Sequence, residues 1–253
     1  MLKFLKIRKV QGRQYIPDIR KASINQKFRG FPMLDSSLCS NCGKCSEACP
    51  ANAISSSPLS IDMGKCVFCG DCARVCPEKA IKFSNFHKLS SSSRKKLIVK
   101  SGASPEDYCK NAVEARREIT KIFGRSLKLR SVSAGGCGGC ELELNACGNV
   151  NFDMERFGIE VVASPRHADG IIITGPVSGN MAFALEETYK AVPDPKIVIA
   201  MGACAISGGT FADSEALNRE FFEKHHVDLY IPGCPAHPLT VINGILDFLG
   251  KTR

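Results

Sequence analysis

Eight of the fourteen cysteines in this 253-residue chain stand in two copies of one run, C-x2-C-x2-C-x3-C-P, and the second copy starts 27 residues after the first. Three thiolates this close together wrap one face of a cubane iron–sulfur cluster. The fourth lies too far along the following turn to close the same cluster, so it binds the cluster of the other copy. The runs therefore predict two 4Fe–4S clusters, the first on Cys39, Cys42, Cys45 and Cys76 and the second on Cys66, Cys69, Cys72 and Cys49.

A pair of zinc sites is the alternative for these eight cysteines. Tetrahedral zinc usually takes two separated C-x2-C pairs, whereas here four cysteines stand in a single run. Small residues inside the runs, such as Gly43 and Gly70, let backbone amides approach the inorganic sulfides, and such hydrogen bonds help to set a reduction potential. The doubled run therefore favours iron–sulfur clusters over zinc.

Four further cysteines follow short apolar, β-branched runs, which are typical of buried parallel strands. The carboxyl ends of parallel strands share one edge of a sheet, and ligands bind at that edge. Glycines beside each cysteine allow tight turns and close backbone approach. Taken singly, each of these cysteines could be a buried structural thiol; together they predict a third cluster, held by Cys137, Cys140, Cys204 and Cys234. The two remaining cysteines, Cys109 and Cys147, are expected to be ordinary packed or half-exposed thiols.

The chain divides into four segments that position these cysteines. Residues 1–30 form a basic N-terminal arm with nine Lys or Arg and one acid, within a net charge of +9. Residues 31–84 hold the repeat and predict a small α+β domain that resembles a two-cluster ferredoxin. Residues 85–103, which include a run of four serines, predict a linker. Residues 104–253 alternate strand and helix patterns and predict an α/β domain with a parallel sheet.

Apolar periodicity places the elements of this last domain. Ser104 followed by Pro105 is a typical helix start, and the apolar spacing up to Phe123, with Gly124 beyond it, predicts one long helix. Two further helices and five strands are expected from the same patterns. The helices are Met181–Ala191 and Pro238–Leu249, and the strands are Leu127–Ser133, Ile159–Ala163, Ile171–Thr174, Lys196–Ala200 and Asp228–Ile231.

Charge and hydropathy limit the cellular setting. The basic arm has two interpretations, a solvated segment or one that lies on anionic lipid or on an acidic partner. Nucleic-acid binding is not expected, because no recognition motif accompanies the charge. The N-terminus lacks the apolar stretch of a signal peptide. The longest nearly apolar run, Ile197–Ile206, is far shorter than the ~18 residues that span a bilayer. A cytoplasmic protein is expected, in which clustered cysteines bind metal rather than form disulfides.

Two resemblances follow from these residues. The doubled run resembles that of bacterial two-cluster ferredoxins, and residues 25–32 resemble the segment that precedes it in ferredoxin-like subunits of complex I and membrane-bound hydrogenases. Residues 125–246 resemble the nickel–iron hydrogenase small subunit in its membrane-bound, complex-I-related branch. This branch is the formate hydrogenlyase type and is homologous to the complex I 20 kDa subunit. The matching stretches are Arg125–Leu127, Ala134–Leu144, Glu155–Gly158, Ala163–Asp169, Thr174–Val177, Pro193–Lys196, Gly202–Gly209 and Tyr230–Pro235.

The resemblance implies a flavodoxin-like fold for the α/β domain and a third cluster next to a catalytic large subunit. It implies an oxidoreductase subunit that is not catalytic alone, peripheral on the cytoplasmic face of a membrane. The expected partners are a nickel–iron-type large subunit, membrane-embedded subunits, and a ferredoxin or a dehydrogenase as electron donor. The two glycines between Cys137 and Cys140 match the hydrogenase spacing, whereas the quinone-reducing homologue has adjacent cysteines there. The expected function is therefore electron relay in a hydrogen-evolving hydrogenase. The alternatives are a complex-I-like NADH or ferredoxin–quinone oxidoreductase subunit and, in another class, a soluble electron carrier or assembly module.

Two residues other than cysteine are candidates for proton transfer. Glu143 is expected on a helix beside the third cluster, and its neighbour Glu141 is more simply explained as favourable charge at a helix N-terminus. His167 lies in a loop that, by the resemblance, faces the large subunit. An ordinary histidine pKa suits proton transfer near neutral pH.

Overall fold

The computed structural model describes residues 2–12, 14–115 and 117–251. Arg13 of the basic arm therefore lies outside the described residues. The arm begins with α1 (Leu2–Gln11), whose side chains from Lys3 onward are exposed. Farther along the arm, Ile19 is buried, and Arg20 forms an ion pair with Asp247 at 2.5 Å. The second part of the arm thus packs on the body of the protein.

The ferredoxin half contains two short helices and two small antiparallel sheets. Each helix begins after a glycine in the left-handed conformation, Gly43 with φ 75° and Gly70 with φ 80°. Its elements, with one strand from the segment that follows, are β1 (Pro32–Leu34), α2 (Lys44–Glu47), β2 (Ile54–Ser56), β3 (Leu59–Asp62), α3 (Asp71–Val75), β4 (Ile81–Phe83) and β5 (Ile98–Lys100). Strand β1 pairs with β4, and β3 lies between β2 and β5. Residues 85–103 therefore contribute a strand to this half.

The helix expected from Pro105 to Phe123 is interrupted, which corrects the sequence prediction. It forms as α4 (Pro105–Ala112) and α5 (Arg117–Phe123), with Val113 extended between them. The preceding serines explain the interruption. The backbone N–H of Ser92 donates to the Ala112 carbonyl at 3.0 Å, and the Ser92 hydroxyl accepts from the N–H of Glu114 at 3.0 Å. These bonds replace the helical ones at the break.

The C-terminal half is built on a parallel five-stranded sheet, as the five strand patterns predicted. Its strands are β6 (Leu127–Ser133), β7 (Ile159–Val161), β8 (Gly170–Thr174), β9 (Ile197–Met201) and β10 (Leu229–Ile231). The spatial order is β10-β9-β8-β6-β7, so strands counted along the chain run 2-1-3-4-5. This is the flavodoxin-like order, in which ligands bind at the carboxyl edge near the reversal of strand order. The fold class predicted from the sequence is confirmed.

Helices cover both faces of this sheet. They are α6 (Gly139–Cys147), α7 (Gly179–Ala191), α8 (Gly202–Ser207), α9 (Phe221–Lys224) and α10 (Pro238–Phe248). Nearly every residue of α10 is buried, which matches its apolar sequence. Among residues 2–12, 14–115 and 117–251, no helix combines the length and apolarity needed to cross a lipid bilayer.

The two halves share one hydrophobic core. Phe31, at the start of the ferredoxin half, is fully buried with its ring 5.2 Å from that of Tyr108 on α4. A bidentate ion pair ties residues 85–103 to the ferredoxin half: the Arg94 guanidinium binds both carboxylate oxygens of Asp62 at 2.8 and 2.7 Å. Ser91 exchanges two backbone hydrogen bonds with Tyr230, at the β10 edge of the parallel sheet. The halves are therefore tied together at several separate points.

Replacing Phe31 with alanine is expected to lower the free energy of unfolding by about 3–5 kcal/mol, because it leaves a cavity in this shared core. The control is Met33→Ala, two residues away on β1, where the side chain is 46% exposed. That change is expected to alter stability by less than about 1 kcal/mol. Anaerobic urea denaturation of both variants measures the difference. Equal stabilities would contradict a core that joins the two halves.

Candidate iron–sulfur sites

The first cysteine group lines one cavity of the ferredoxin half, and all four of its predicted members, Cys39, Cys42, Cys45 and Cys76, face that cavity. Burial raises the pKa of Cys45, and the neighbouring Cys76 and Cys39 act in the same direction. The backbone N–H of Lys44 lowers the pKa of Cys42. Cys76 comes from the second run, so the chain brings it across to the first group.

The second group collects Cys66, Cys69, Cys72 and Cys49. Burial raises the pKa of Cys66 to about 12, with further increases from Cys72, Cys49 and Cys69. Burial likewise raises the pKa of Cys72 to about 11, followed by Cys69, Cys49 and then Cys45 of the first group. Each thiol of this group therefore lies within electrostatic range of at least two others, and the two groups are neighbours.

The backbone follows the sequence repeat closely. The N–H of Ala53 donates to the Cys49 sulfur at 3.3 Å, and the N–H of Ala80 donates to the Cys76 sulfur at the same distance. Residues in the left-handed conformation also recur 27 positions apart: Asn41 with Phe68, Gly43 with Gly70, and Asn52 with Lys79. The two runs are thus two copies of one structural unit.

The third group lies at the carboxyl edge of the parallel sheet. Cys137 and Cys140 follow β6 and open α6, Cys204 lies on α8 directly after β9, and Cys234 follows β10. The loops are tied to each other, since the N–H of Ala203 donates to the Gly233 carbonyl at 2.9 Å. Cys137 and Cys234 are exposed, whereas Cys140 and Cys204 are half-buried. The sheet therefore brings these thiols to one place, as the strand-end argument predicts.

The thiols of the third group influence one another. Burial raises the pKa of Cys140 to about 12, and Glu141, Cys204 and Cys234 add to this. Burial also raises the pKa of Cys204, followed by Cys234 and Cys137. Each of the four thiols is therefore within electrostatic range of at least two others, across the space between the loops that carry them.

Glycines keep that space open. A Cβ on Gly202, whose φ is +89°, would lie 2.5 Å from the Cys140 sulfur. A Cβ on Gly209 would lie 3.0 Å from the Cys204 sulfur. Larger residues would therefore push the thiols aside, and the glycines predicted to allow close approach do so here.

The donor chemistry of the three groups fits 4Fe–4S clusters. All fourteen cysteines are free thiols. Within the part of the chain that the structure describes, no three His, Cys, Asp or Glu side chains are arranged to hold a single metal ion. A cubane takes each of its four thiolates on a different iron, so its ligands surround an open space rather than converge on one point.

A cleft between the halves connects the second and third groups. Its volume is about 350 Å³, and both Cys69 and Cys234 line it. Lys27 and Arg29 of the basic arm and His237 also face this cleft. The sequence analysis did not predict this cleft, because its lining residues are far apart in the chain and share no motif.

The two proton-transfer candidates differ in position. Glu143 lines the same cleft, and burial raises its pKa. His167 is exposed on a short 3-10 turn that begins at Pro165. Burial works to raise the pKa of Glu141, but hydrogen bonds from Ser133 and Thr174 outweigh it and lower that pKa. Glu141 is therefore a fixed negative charge beside the third group.

The two cysteines outside the groups have separate surroundings. Cys147 is fully buried on α6, and its sulfur lies 3.3 Å from the Glu143 carbonyl oxygen. Cys109 is half-buried, and burial followed by the nearby Asp247 raises its pKa. Both fit the expectation of ordinary thiols.

Comparison with known proteins identifies both halves. Residues 137–248 match the family described as NADH ubiquinone oxidoreductase, 20 Kd subunit, and residues 37–81 match the 4Fe-4S dicluster domain. The resemblances stated for the two halves are thereby confirmed.

Curated relatives come from hydrogenases and from respiratory enzymes. The probable membrane-bound hydrogenase subunit mbhJ of Pyrococcus furiosus is 40% identical over 53% of this chain and 80% of its own length. An NADH-quinone oxidoreductase subunit of Heliobacterium modesticaldum is 42% identical over 57% of this chain and 82% of its own length. Formate hydrogenlyase subunit 7 of Escherichia coli is 42% identical over 53% of each chain. This chain is an iron–sulfur protein that belongs to the NADH ubiquinone oxidoreductase 20 Kd subunit family and carries a 4Fe-4S dicluster domain on its N-terminal side.

Proposed function

We propose that this chain relays electrons through three 4Fe–4S clusters, between an external donor and the metal centre of a nickel–iron-type large subunit. The observation that carries this proposal is the presence of three groups of four free thiols, two of which face a common cleft. When bound, each cluster supplies a one-electron carrier. The protein supplies the ligands, their spacing and the exclusion of water.

Contacts between the groups support an order for the relay. The second group adjoins the third on two sides. Cys69 and Cys234 line one cleft, and Gly64, close to Cys66, packs against Ile206 on the helix of Cys204. The first group adjoins the second, because Cys45 acts on Cys72. Electrons from a ferredoxin or a dehydrogenase would enter at the first group and leave from the third.

Exposure at the third group supports a partner there. Cys137 and Cys234 are exposed, although solvent access weakens control of a cluster's potential. Leu142 on α6 and Phe183 on α7 carry apolar side chains that are 71% and 75% exposed. A large subunit that covers this edge would bury the thiols and these side chains together.

The spacing at the third group favours a hydrogenase. Two glycines separate Cys137 from Cys140, which is the hydrogenase-type arrangement, and the relatives include subunits named for a membrane-bound hydrogenase and for formate hydrogenlyase. A quinone-reducing, complex-I-like complex is the second candidate, because relatives named as NADH-quinone oxidoreductase subunits match equally well. In both cases we place the chain peripherally on a membrane complex with membrane-embedded subunits.

The test is anaerobic purification of the whole complex from its natural host. The proposal expects about twelve irons in this chain, nickel in the adjoining large subunit, and hydrogen evolution with a reduced ferredoxin. Quinone reduction without nickel would replace the hydrogenase assignment with the second candidate. A chain that purifies alone as a stable monomer with about eight irons would overturn the relay.

A further inference from the structure

Arg219 is a half-buried cation that holds together the segments around Cys204. Its Nη1 atom donates to the Pro176 carbonyl at 3.0 Å and to the Cys204 carbonyl at 3.1 Å. Its Nη2 atom donates to the Ala205 carbonyl at 2.8 Å. The guanidinium carbon also lies 4.7 Å from the centre of the Phe222 ring. These contacts fix α8, which carries Cys204, against the loop that follows β8.

This guanidinium lacks an acidic partner among residues 2–12, 14–115 and 117–251, because its hydrogen-bond acceptors there are all backbone carbonyls. Removing a charge from water is costly unless an opposite charge compensates it. Arg94, another cation that acts on Arg219, is paired with Asp62 at 2.7 Å. Arg219 is therefore an uncompensated positive charge beside the third cysteine group.

The cysteine group offers the missing negative charge. The guanidinium of Arg219 lies beside Cys204, because its Nη1 atom donates to the Cys204 carbonyl at 3.1 Å. A cubane bound by four thiolates carries a net negative charge even after the charge of its core is counted, and a nearby cation offsets part of it. Glu141 adds to that negative charge from the α6 side, with its carboxylate held by Thr174 at 2.7 Å. The third group thus has a fixed cation next to Cys204 and a fixed anion next to Cys140.

We propose that Arg219 is the positioning residue that raises the reduction potential of the third cluster above the value its thiolates alone would give. This inference rests on the proposed function, because it requires a cluster on Cys137, Cys140, Cys204 and Cys234. A fixed positive charge favours the form that holds one more electron, and half-burial limits its screening by salt. Arg219 thereby makes the third cluster, which is the last in the proposed relay, a better electron acceptor.

The experiment is a redox titration of the full chain, reconstituted anaerobically with iron and sulfide and followed by electron paramagnetic resonance. Arg219→Met keeps much of the side-chain volume and removes the charge. It is expected to lower the reduction potential of the third cluster by about 59 mV. For a one-electron couple at a fixed ambient potential, this lowers the ratio of reduced to oxidised cluster about tenfold. The two clusters of the ferredoxin half are expected to be unchanged. Arg219→Lys, which keeps the charge, is expected to restore most of the shift.

Two further variants separate charge from structure. Glu141→Gln removes the opposing charge and is expected to shift the third cluster in the opposite direction. Lys224→Met removes an exposed cation that Glu220 already pairs at 2.7 Å, and it is expected to change nothing. The shift in Arg219→Met is expected to persist in 0.5 M salt, at about the same size, because the site is half-buried.

The possible outcomes distinguish a failure of the proposed role of Arg219 from a failure of the proposed relay. A third signal whose potential is the same in Arg219→Met and in the unaltered chain overturns the role of Arg219 and leaves the relay standing. A shift that Arg219→Lys fails to restore also overturns it, because the cause is then the carbonyl contacts rather than the charge. An unaltered chain with about eight irons and only two signals overturns the third cluster, and the role of Arg219 with it.

Discussion

Changing Cys234 to serine is expected to remove about four of about twelve irons and to stop electron transfer from the chain to its large subunit. Serine oxygen is a harder ligand than thiolate and suits the irons of such a cluster poorly. Cys234 is exposed, so the substitution leaves the packing of the fold intact. The two clusters of the ferredoxin half are expected to remain and to be reduced normally by the donor.

The matched control is Cys109→Ser. Cys109 is half-buried in the C-terminal half, and the groups that act on it are Asp247, Lys88, Arg20 and Glu106 rather than other cysteines. This variant is expected to keep about twelve irons and full electron transfer. Iron analysis and electron paramagnetic resonance of the anaerobically purified proteins measure both results. If Cys234→Ser also kept all its iron, the third group would not hold a cluster.

The crossed ligation of the ferredoxin half leads to the second large effect. Cys76→Ser and Cys39→Ser are expected to abolish the same cluster signal, although the two residues belong to different runs. Cys76 lines the cavity of the first group with Cys39, and its sulfur accepts a bond from the Ala80 N–H. Each variant is expected to lose about four irons and to interrupt the relay at its entry.

Cys66→Ser provides the comparison within the second run. Cys66 lies with Cys49, so Cys66→Ser and Cys49→Ser are expected to abolish the same signal, which is that of the second cluster. The assignment is read from the spectra of the four single variants, compared as pairs. If Cys76→Ser matched Cys66→Ser rather than Cys39→Ser, each run would close its own cluster and the crossed arrangement would be wrong.

Most of the features that could be predicted from the sequence depend on residues that are close together in the chain. The doubled run depends on residues a few positions apart, and the five strand patterns are short runs of apolar, β-branched residues. The placement of Cys204 and Cys234 at one edge followed from a general rule of parallel sheets. These features need no knowledge of distant contacts, so they were accessible before the fold was known.

The missed features all depend on residues that are remote in sequence. The interruption at Val113 arises because serines about twenty positions earlier supply hydrogen bonds that a helix would otherwise make. The cleft shared by Cys69 and Cys234 depends on how the two halves meet. Arg219 stands in a loop with no recognisable motif, and only its three carbonyl partners mark it out. No periodicity in the chain encodes these contacts.

The ion pair between Asp62 and Arg94 has a consequence for the kinetics of transfer. It ties the ferredoxin half to residues 85–103, and the two bonds between Ser91 and Tyr230 tie the same segment to the parallel sheet, so the two halves are held together through it. In the proposed relay, the distance that an electron must tunnel from the second cluster to the third is then constant. Passage between them requires no diffusional search, so thickening the medium with glycerol would slow the arrival of the donor but not this internal hop.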